Sequence, residues 1–148
     1  DGTSDVSFSG VAAGQYFIAI RHRNHLGIMT ASTVALSSTA SPIDLSNGSV
    51  ALFGGASATK TLGSKAVMFA GDVDRNGVLR YTGQNNDRDP ILARIGGSVP
   101  TATASGYYSE DVDLNGVVRY TGSANDRDPI LSNVGGSVPT ATRSASLP

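Results

Sequence analysis

Asp72, Asp74 and Asn76 stand at alternate positions and are followed by Gly77 and Val78. That spacing turns three side-chain oxygens toward one centre. The glycine takes the sharp bend, and the Val78 carbonyl supplies a further oxygen. This is the opening of a calcium loop of EF-hand type. The set returns about 39 residues later as Asp111, Asp113, Asn115, Gly116 and Val117. Calcium is a hard cation that takes six to eight oxygens, so carboxylate-rich spacing without His or Cys fits it better than zinc. Two calcium sites are expected.

A loop of this type ordinarily closes with an acid at its twelfth position, where this chain has Gly83 and Gly122. Acids follow a few residues later, as Asp87 and Asp89 in the first copy and Asp126 and Asp128 in the second. The stretches RYTGQNN and RYTGSAN therefore read as insertions. Asp89 and Asp128 each precede a proline, which suits a helix N-cap followed by proline at the first helical position. Asp87 and Asp126 are the favoured closing ligands, with Asp89 and Asp128 as caps or additional ligands. A competing reading needs no cation. Asp and Asn form turns with their own backbone, and Arg80, Arg88, Arg119 and Arg127 would then offset the carboxylates as an ionic network. Nine of the twelve acids lie in the two copies. Carboxylates crowded around one loop repel without a cation, which favours calcium.

The elements that must hold these residues are repeated too. Residues 71–103 and 110–142 are about three-quarters identical, and both end in GGSVPTAT. ILARIGG and ILSNVGG read as short helices stopped by glycine. Residues 1–70 read as short strands: VSFSGV, QYFIAIRHR, GIMTA, TVALS, PIDLS, SVALF and KAVMFAG. The continuous apolar run in QYFIAI suits a central strand covered on both faces. NHLG reads as a reversal, and Asn47-Gly48 as a hairpin turn. The expected fold is mostly β with short helices. It comprises an N-terminal β-sandwich-like, Ig-like module over residues 1–70, the duplicated calcium-loop module over 71–142, and a loose tail over 143–148.

DVDRNG and DVDLNG, each with its following helix, resemble a dockerin-type calcium repeat pair over about residues 71–142. The resemblance implies that each repeat is a calcium loop plus one helix, and that the two pack against each other. The whole chain, including YFIAIRHRNHLGIMT and the RYTG…NDRDPIL units, is similar to C-terminal regions of large secreted surface proteins of Bacteroidota-type bacteria, mostly of unassigned function. A β-module ahead of such a pair resembles the Ig-like modules that often precede dockerins.

Composition narrows the classes. Over 148 residues the net charge is −1, which argues against a nucleic-acid binder. No apolar run approaches the roughly 18 residues of a membrane span. There is no cysteine, so no disulfide staples a small core. Eighteen glycines and a charged fraction of 16% resemble secreted β-rich proteins. The chain starts at Asp1 and reads as a processed or excised piece of something longer. No nucleophile elbow or zinc-protease motif is present, so an enzyme is not expected. His22 and His25 read as a solvated hairpin end on opposite strand faces. Tyr81 and Tyr120 are expected to pack over the loops; Tyr107 and Tyr108 suit either core or an exposed contact.

The expected function is an extracellular or cell-surface, calcium-stabilised structural protein, a building block of a fibre or stalk. Copies of the chain would join head to tail, with DGTSDVSFSG as a candidate donor strand. The alternative is a dockerin-like or adhesin-like module that docks onto another surface protein or a glycan.

Overall fold

A computed structural model describes residues 4–148 of the chain. Short alternating segments broken by Gly, Ser and Thr give short strands. The first part of the chain carries β1 (Gly14–Tyr16), β2 (Ala19–His22), β3 (His25–Met29), β4 (Val34–Leu36), β5 (Lys60–Leu62) and β6 (Lys65–Val67). The duplicated part carries β7 (Val78–Arg80), α1 (Arg88–Arg94), β8 (Thr103–Ser105), β9 (Val117–Arg119), α2 (Arg127–Val134) and β10 (Thr142–Ser144). The fold is mostly β with two short helices. No helix among the described residues is long and apolar enough to cross a membrane.

The strands pair only in twos, all antiparallel: β1–β4, β2–β3, β5–β6, β7–β10 and β8–β9. The sandwich expected over residues 1–70 is therefore not formed among the described residues. Two facing sheets need two apolar inner faces. Between residues 4 and 70 only Leu26, Ile28, Ala58 and Phe69 are buried apolar side chains. QYFIAI is not a central strand either. The chain changes partner at Phe17–Ile18, from β4 to β3, and Phe17 and Ile20 remain 54% and 39% exposed. VSFSGV is not a strand, and Asp1–Thr3 of the candidate donor lie outside the described residues. Asn47-Gly48 does turn, with Gly48 at φ +76° and the Ser49 N–H on Asn47 Oδ1 at 2.8 Å. The flanking PIDLS and SVALF are not strands, however.

The core sits in the duplicated part and is built from matched pairs. Val73 and Val112, Leu79 and Val118, Ile91 and Ile130, and Ile95 and Val134 form one buried cluster, joined by Leu26 and Phe69. The valine between the two aspartates of each loop is buried because alternation sends it opposite to the acids. Each fully buried Leu, Ile or Val contributes about 1.5–3 kcal/mol of transfer free energy. The helices are seven and eight residues long. Such helices are marginal alone, so their buried isoleucines hold them in place. Glycines end both: Gly97 N–H returns to Leu92 O and Gly136 N–H to Leu131 O.

Strand pairing interlocks the copies. β9 pairs with β8, the strand that ends the first copy, while β7 pairs with β10, the equivalent strand after the second. Thr121 Oγ1 donates to Pro100 O and Thr82 Oγ1 to Pro139 O, the same bond made twice. Residues 143–148 are thus not a loose tail. Arg143 and Ser144 lie in β10, and buried Ser146 donates its N–H to Gly27 O.

The β2–β3 hairpin docks on this pair. Asn24, at its tip, is fully buried; its Nδ2 donates to Ser109 O and Asp111 O, and its carbonyl accepts the Gly71 N–H. A Cβ at Gly71 would lie 2.6 Å from Leu79 Cδ1, and φ there is +122°, so glycine is required at this junction.

Candidate metal centre

Each loop is shaped by its own side chains. In the first, both Asp72 oxygens accept the Gly77 N–H at 3.2–3.3 Å. Asp74 accepts the Asn76 N–H at 3.1 Å and Asn76 Nδ2 at 2.7 Å, and Asn76 Oδ1 accepts the Val78 N–H at 2.7 Å. Gly77 bends at φ +81°, and Arg75 takes φ +60°. The second loop repeats this: Gly116 N–H on Asp111 at 3.1 Å, Asn115 on Asp113 through both its N–H and its Nδ2, and the Val117 N–H on Asn115 Oδ1 at 2.8 Å. Leu114 takes φ +63° and Gly116 φ +85°.

Asp87 and Asp126 reach back across the insertions. Oxygens of Asp72, Asp74 and Asp87 lie within 4.8 Å of one another, and so do those of Asp111, Asp113 and Asp126. Within each set the first and last aspartates are buried and the middle one is exposed. Asp87 Oδ1 accepts the Val73 N–H at 2.8 Å and Oδ2 the Arg80 N–H at 2.7 Å. Asp126 does the same with Val112 at 2.6 Å and Arg119 at 2.7 Å. Both Asp87 oxygens and Asp126 Oδ2 keep a further lone pair, whereas Asp126 Oδ1 also accepts the Asp113 N–H at 3.2 Å.

Burial dominates the electrostatics. It pushes Asp87 up to about 7 and Asp126 up to about 6, against the backbone N–H bonds that favour the charged form. Repulsion from Asp74 and Asp72 adds to the shift at Asp87, and from Asp113 at Asp126. Asp72 is raised as well, by burial first.

Asp89 and Asp128 are not in the clusters, and they are not N-caps. The helices begin at Arg88 and Arg127, one residue before them. Asn86 does the capping. Its Oδ1 accepts the Asp89 N–H at 3.0 Å, and its Nδ2 donates to Asp89 Oδ2 at 2.8 Å and Gly83 O at 2.7 Å. Asn125 repeats all three bonds with Asp128 and Gly122. Asn86 and Asn125 are buried and lie outside the calcium-loop motif itself. Their signal was available, since Asn-x-x-Asp ahead of an apolar run is a capping-box pattern.

The arginine network does not form at the loops. Arg80 and Arg119 donate to Gln84 O and Ser123 O, while Arg88 and Arg127 stack 5.0 Å over Tyr81 and Tyr120. Among the described residues the ion pairs are Arg94–Glu110 at 3.0 Å and Arg23–Asp111 at 3.1 Å. The first loop thus has no guanidinium on its carboxylates, and the second has one, delivered by the hairpin. Tyr81, Tyr120 and Tyr108 pack against the core, whereas Tyr107 is 80% exposed beneath Arg23.

His22 and His25 are not on opposite faces. A two-residue reversal at Arg23-Asn24 sets them directly across from each other, Nδ1 to Nδ1 at 2.8 Å. Alternation separates residues along one strand but says nothing across a turn. Burial, then the charges of His22, Lys60 and Arg23, hold His25 down to about 4.

Two acid clusters of this kind are suited to hold a hard divalent cation at each loop. No family model, curated protein or solved structure matches the chain.

Proposed function

We propose that this chain is an extracellular, calcium-stabilised structural module with two dockerin-like loop-and-helix repeats, and that it serves as a building block of a surface fibre or stalk. One observation carries the reading: Asp72, Asp74 and Asp87 converge within 4.8 Å, two of them buried, with no guanidinium among the described residues paired to them. Buried like charges without a partner are costly, and a calcium ion supplies the missing charge. Extracellular modules hold calcium at about 10⁻⁴ to 10⁻³ M, matched to millimolar external calcium. Elemental analysis and calorimetric titration test this. Two calcium ions per chain support it; a melt unchanged by chelator, with no bound metal, removes it.

Assembly with further copies is supported by an open edge. β2 has β3 as its partner and exposes Ile20 and Arg21, next to exposed Phe17. The segment before β1 carries Asp5 with Val6, Phe8 and Val11, which are 78%, 57% and 48% exposed. Apolar residues alternating with serine, and an acid to meet Arg21, suit addition of this segment to the β2 edge of a second copy. A contact of that kind propagates unless it closes. Filaments in negative stain that vanish when residues 1–11 are removed support this; monodisperse particles at all concentrations oppose it.

The exposed Tyr107 favours a second reading, a module that docks onto a protein or a glycan. Discrete monomers that retain a glycan on an array, and lose it in Tyr107→Ala, select that reading.

A further inference from the structure

The first acidic loop and the open β2 edge meet at one cleft. It has a volume of about 230 Å³, and Arg21 of β2 and Arg75 of the loop both line it. Both arginines are exposed, and among the described residues neither has an ion pair. Position 75 is the one place where DVDRNG and DVDLNG differ. The second loop carries Leu114 there on the same backbone, φ +63° against +60°. The β2 edge beside the cleft is free to pair. Ile18 turns its N–H and carbonyl to Thr30. By alternation, the backbone groups of Ala19 and Arg21 point away from β3.

We infer that the first loop is part of the joint between copies: Asp5 of one copy enters this cleft in the next and is held between Arg21 and Arg75, so that calcium at the first loop, and not at the second, sets the strength of association. This rests on the strand addition and calcium binding proposed above. The register selects the acid. An antiparallel strand with Asp5 opposite Arg21 sets Val6 opposite Ile20 and Phe8 opposite Ile18. One charge pair and two apolar pairs then fall on their proper faces, because opposed residues share a face and neighbours alternate. A parallel strand with the same charge pair sets Val6 beside His22 instead. Asp5 is exposed and has no ion pair among the described residues, as an acid kept for a second copy requires. Calcium enters through Asp72, which is buried in the wall of the same cleft. Its carboxylate repels an incoming aspartate until a cation in the loop matches its charge. The bound ion also fixes the backbone that carries Arg75. The second loop offers Leu114 at this position and no such cation.

Sedimentation velocity of the full chain in saturating calcium tests this. Arg75→Leu installs the residue that the second loop carries on the same backbone, so the loop keeps its shape, and a stoichiometry of two calcium ions confirms it. Loss of one exposed charge pair weakens association about three- to fivefold in Arg75→Leu. Asp5→Asn weakens it as well, and in that background Arg75→Leu has no further effect, as groups in contact require. Asp87→Asn, which empties the first loop, weakens association, and Asp126→Asn, which empties the second, does not. Three results overturn the inference and leave strand addition standing: undiminished association in Arg75→Leu, the same loss from Arg75→Leu with and without Asp5, or equal loss from Asp87→Asn and Asp126→Asn. A chain that stays monomeric at every concentration removes strand addition itself, and this joint with it.

Discussion

Thr142 stands opposite Arg80, joining the second copy's final strand to the strand that leaves the first loop. Thr103 stands opposite Arg119 in the same way, but there the chain runs directly from one strand through the loop to the other. The first loop is therefore clamped by residues distant in sequence. Ending the chain after residue 141 removes β10 and the Ala145 N–H that binds Gly77 O. We expect it to weaken calcium at the first loop at least about tenfold while sparing the second, beyond a general stability loss of several kcal/mol. Calorimetry that resolves two sites checks this; equal weakening of both contradicts it.

Asp87 and Asp126 close equivalent loops and differ little in surroundings. Asp87→Asn should abolish calcium binding at the first loop, and Asp126→Asn at the second, each leaving the other site filled. The amide also presents an NH₂ where a backbone N–H needs an acceptor, costing about 1–3 kcal/mol. A stoichiometry falling from two to one in each variant is the expected readout.

The pH dependence follows from the same two groups. Burial raises Asp87 to about 7 and Asp126 to about 6, above their unfolded value near 4. Between those limits the folded, metal-free chain holds more protons than the unfolded one, so these groups lower its stability as pH rises from about 4 to about 7. Calcium removes that loss by replacing the proton. The difference in melting temperature between calcium-loaded and metal-free protein should widen from pH 5 to pH 8. His25 shifts the other way, but it is common to both forms and cancels in the difference. A constant difference across that range rules the mechanism out.

The two loops are nearly alike in sequence, yet Arg23 reaches only Asp111. A guanidinium on a ligand carboxylate competes with the ion for charge. Arg23→Met should raise calcium affinity at the second loop several-fold, leave the first unchanged, and lower the melting temperature of the metal-free protein, because Asp111 is buried and loses its partner. Loss of affinity at the second loop would show instead that Arg23 serves only to position Asp111.

Gly71→Ala tests the junction between hairpin and repeats. Its positive φ and the 2.6 Å approach to Leu79 leave no room for a methyl group, so a loss of about 1–3 kcal/mol is expected. Thermal melting in calcium and in chelator should both register it.

Much of the site was legible because it is local. Alternation of Asp72, Asp74 and Asn76 around a bend needs only neighbouring residues, and Asp87 was favoured over Asp89 because Asp89 precedes a proline and read as a helix cap. The helices were legible from Ile91 and Ile130 with their terminal glycines. Strand partners were not. The two TAT segments are identical, and nothing in them says that Thr103 should meet Arg119 while Thr142 meets Arg80. The sandwich expectation failed because the continuous apolar run in QYFIAI marks extended backbone without saying what covers it. Asn86 was missed because attention to Asp-Pro placed the cap three residues late, and the His22–His25 contact because it exists only across a turn.

Since β8 completes one loop and β10 the other, neither half of the duplication is self-sufficient. A gene that lost one half would leave the survivor with a raw edge, and a gene that acquired a third would have to find that newcomer a mate. Inheritance should thus count these units by twos, and the C-terminal strand is the stitch that makes the number even.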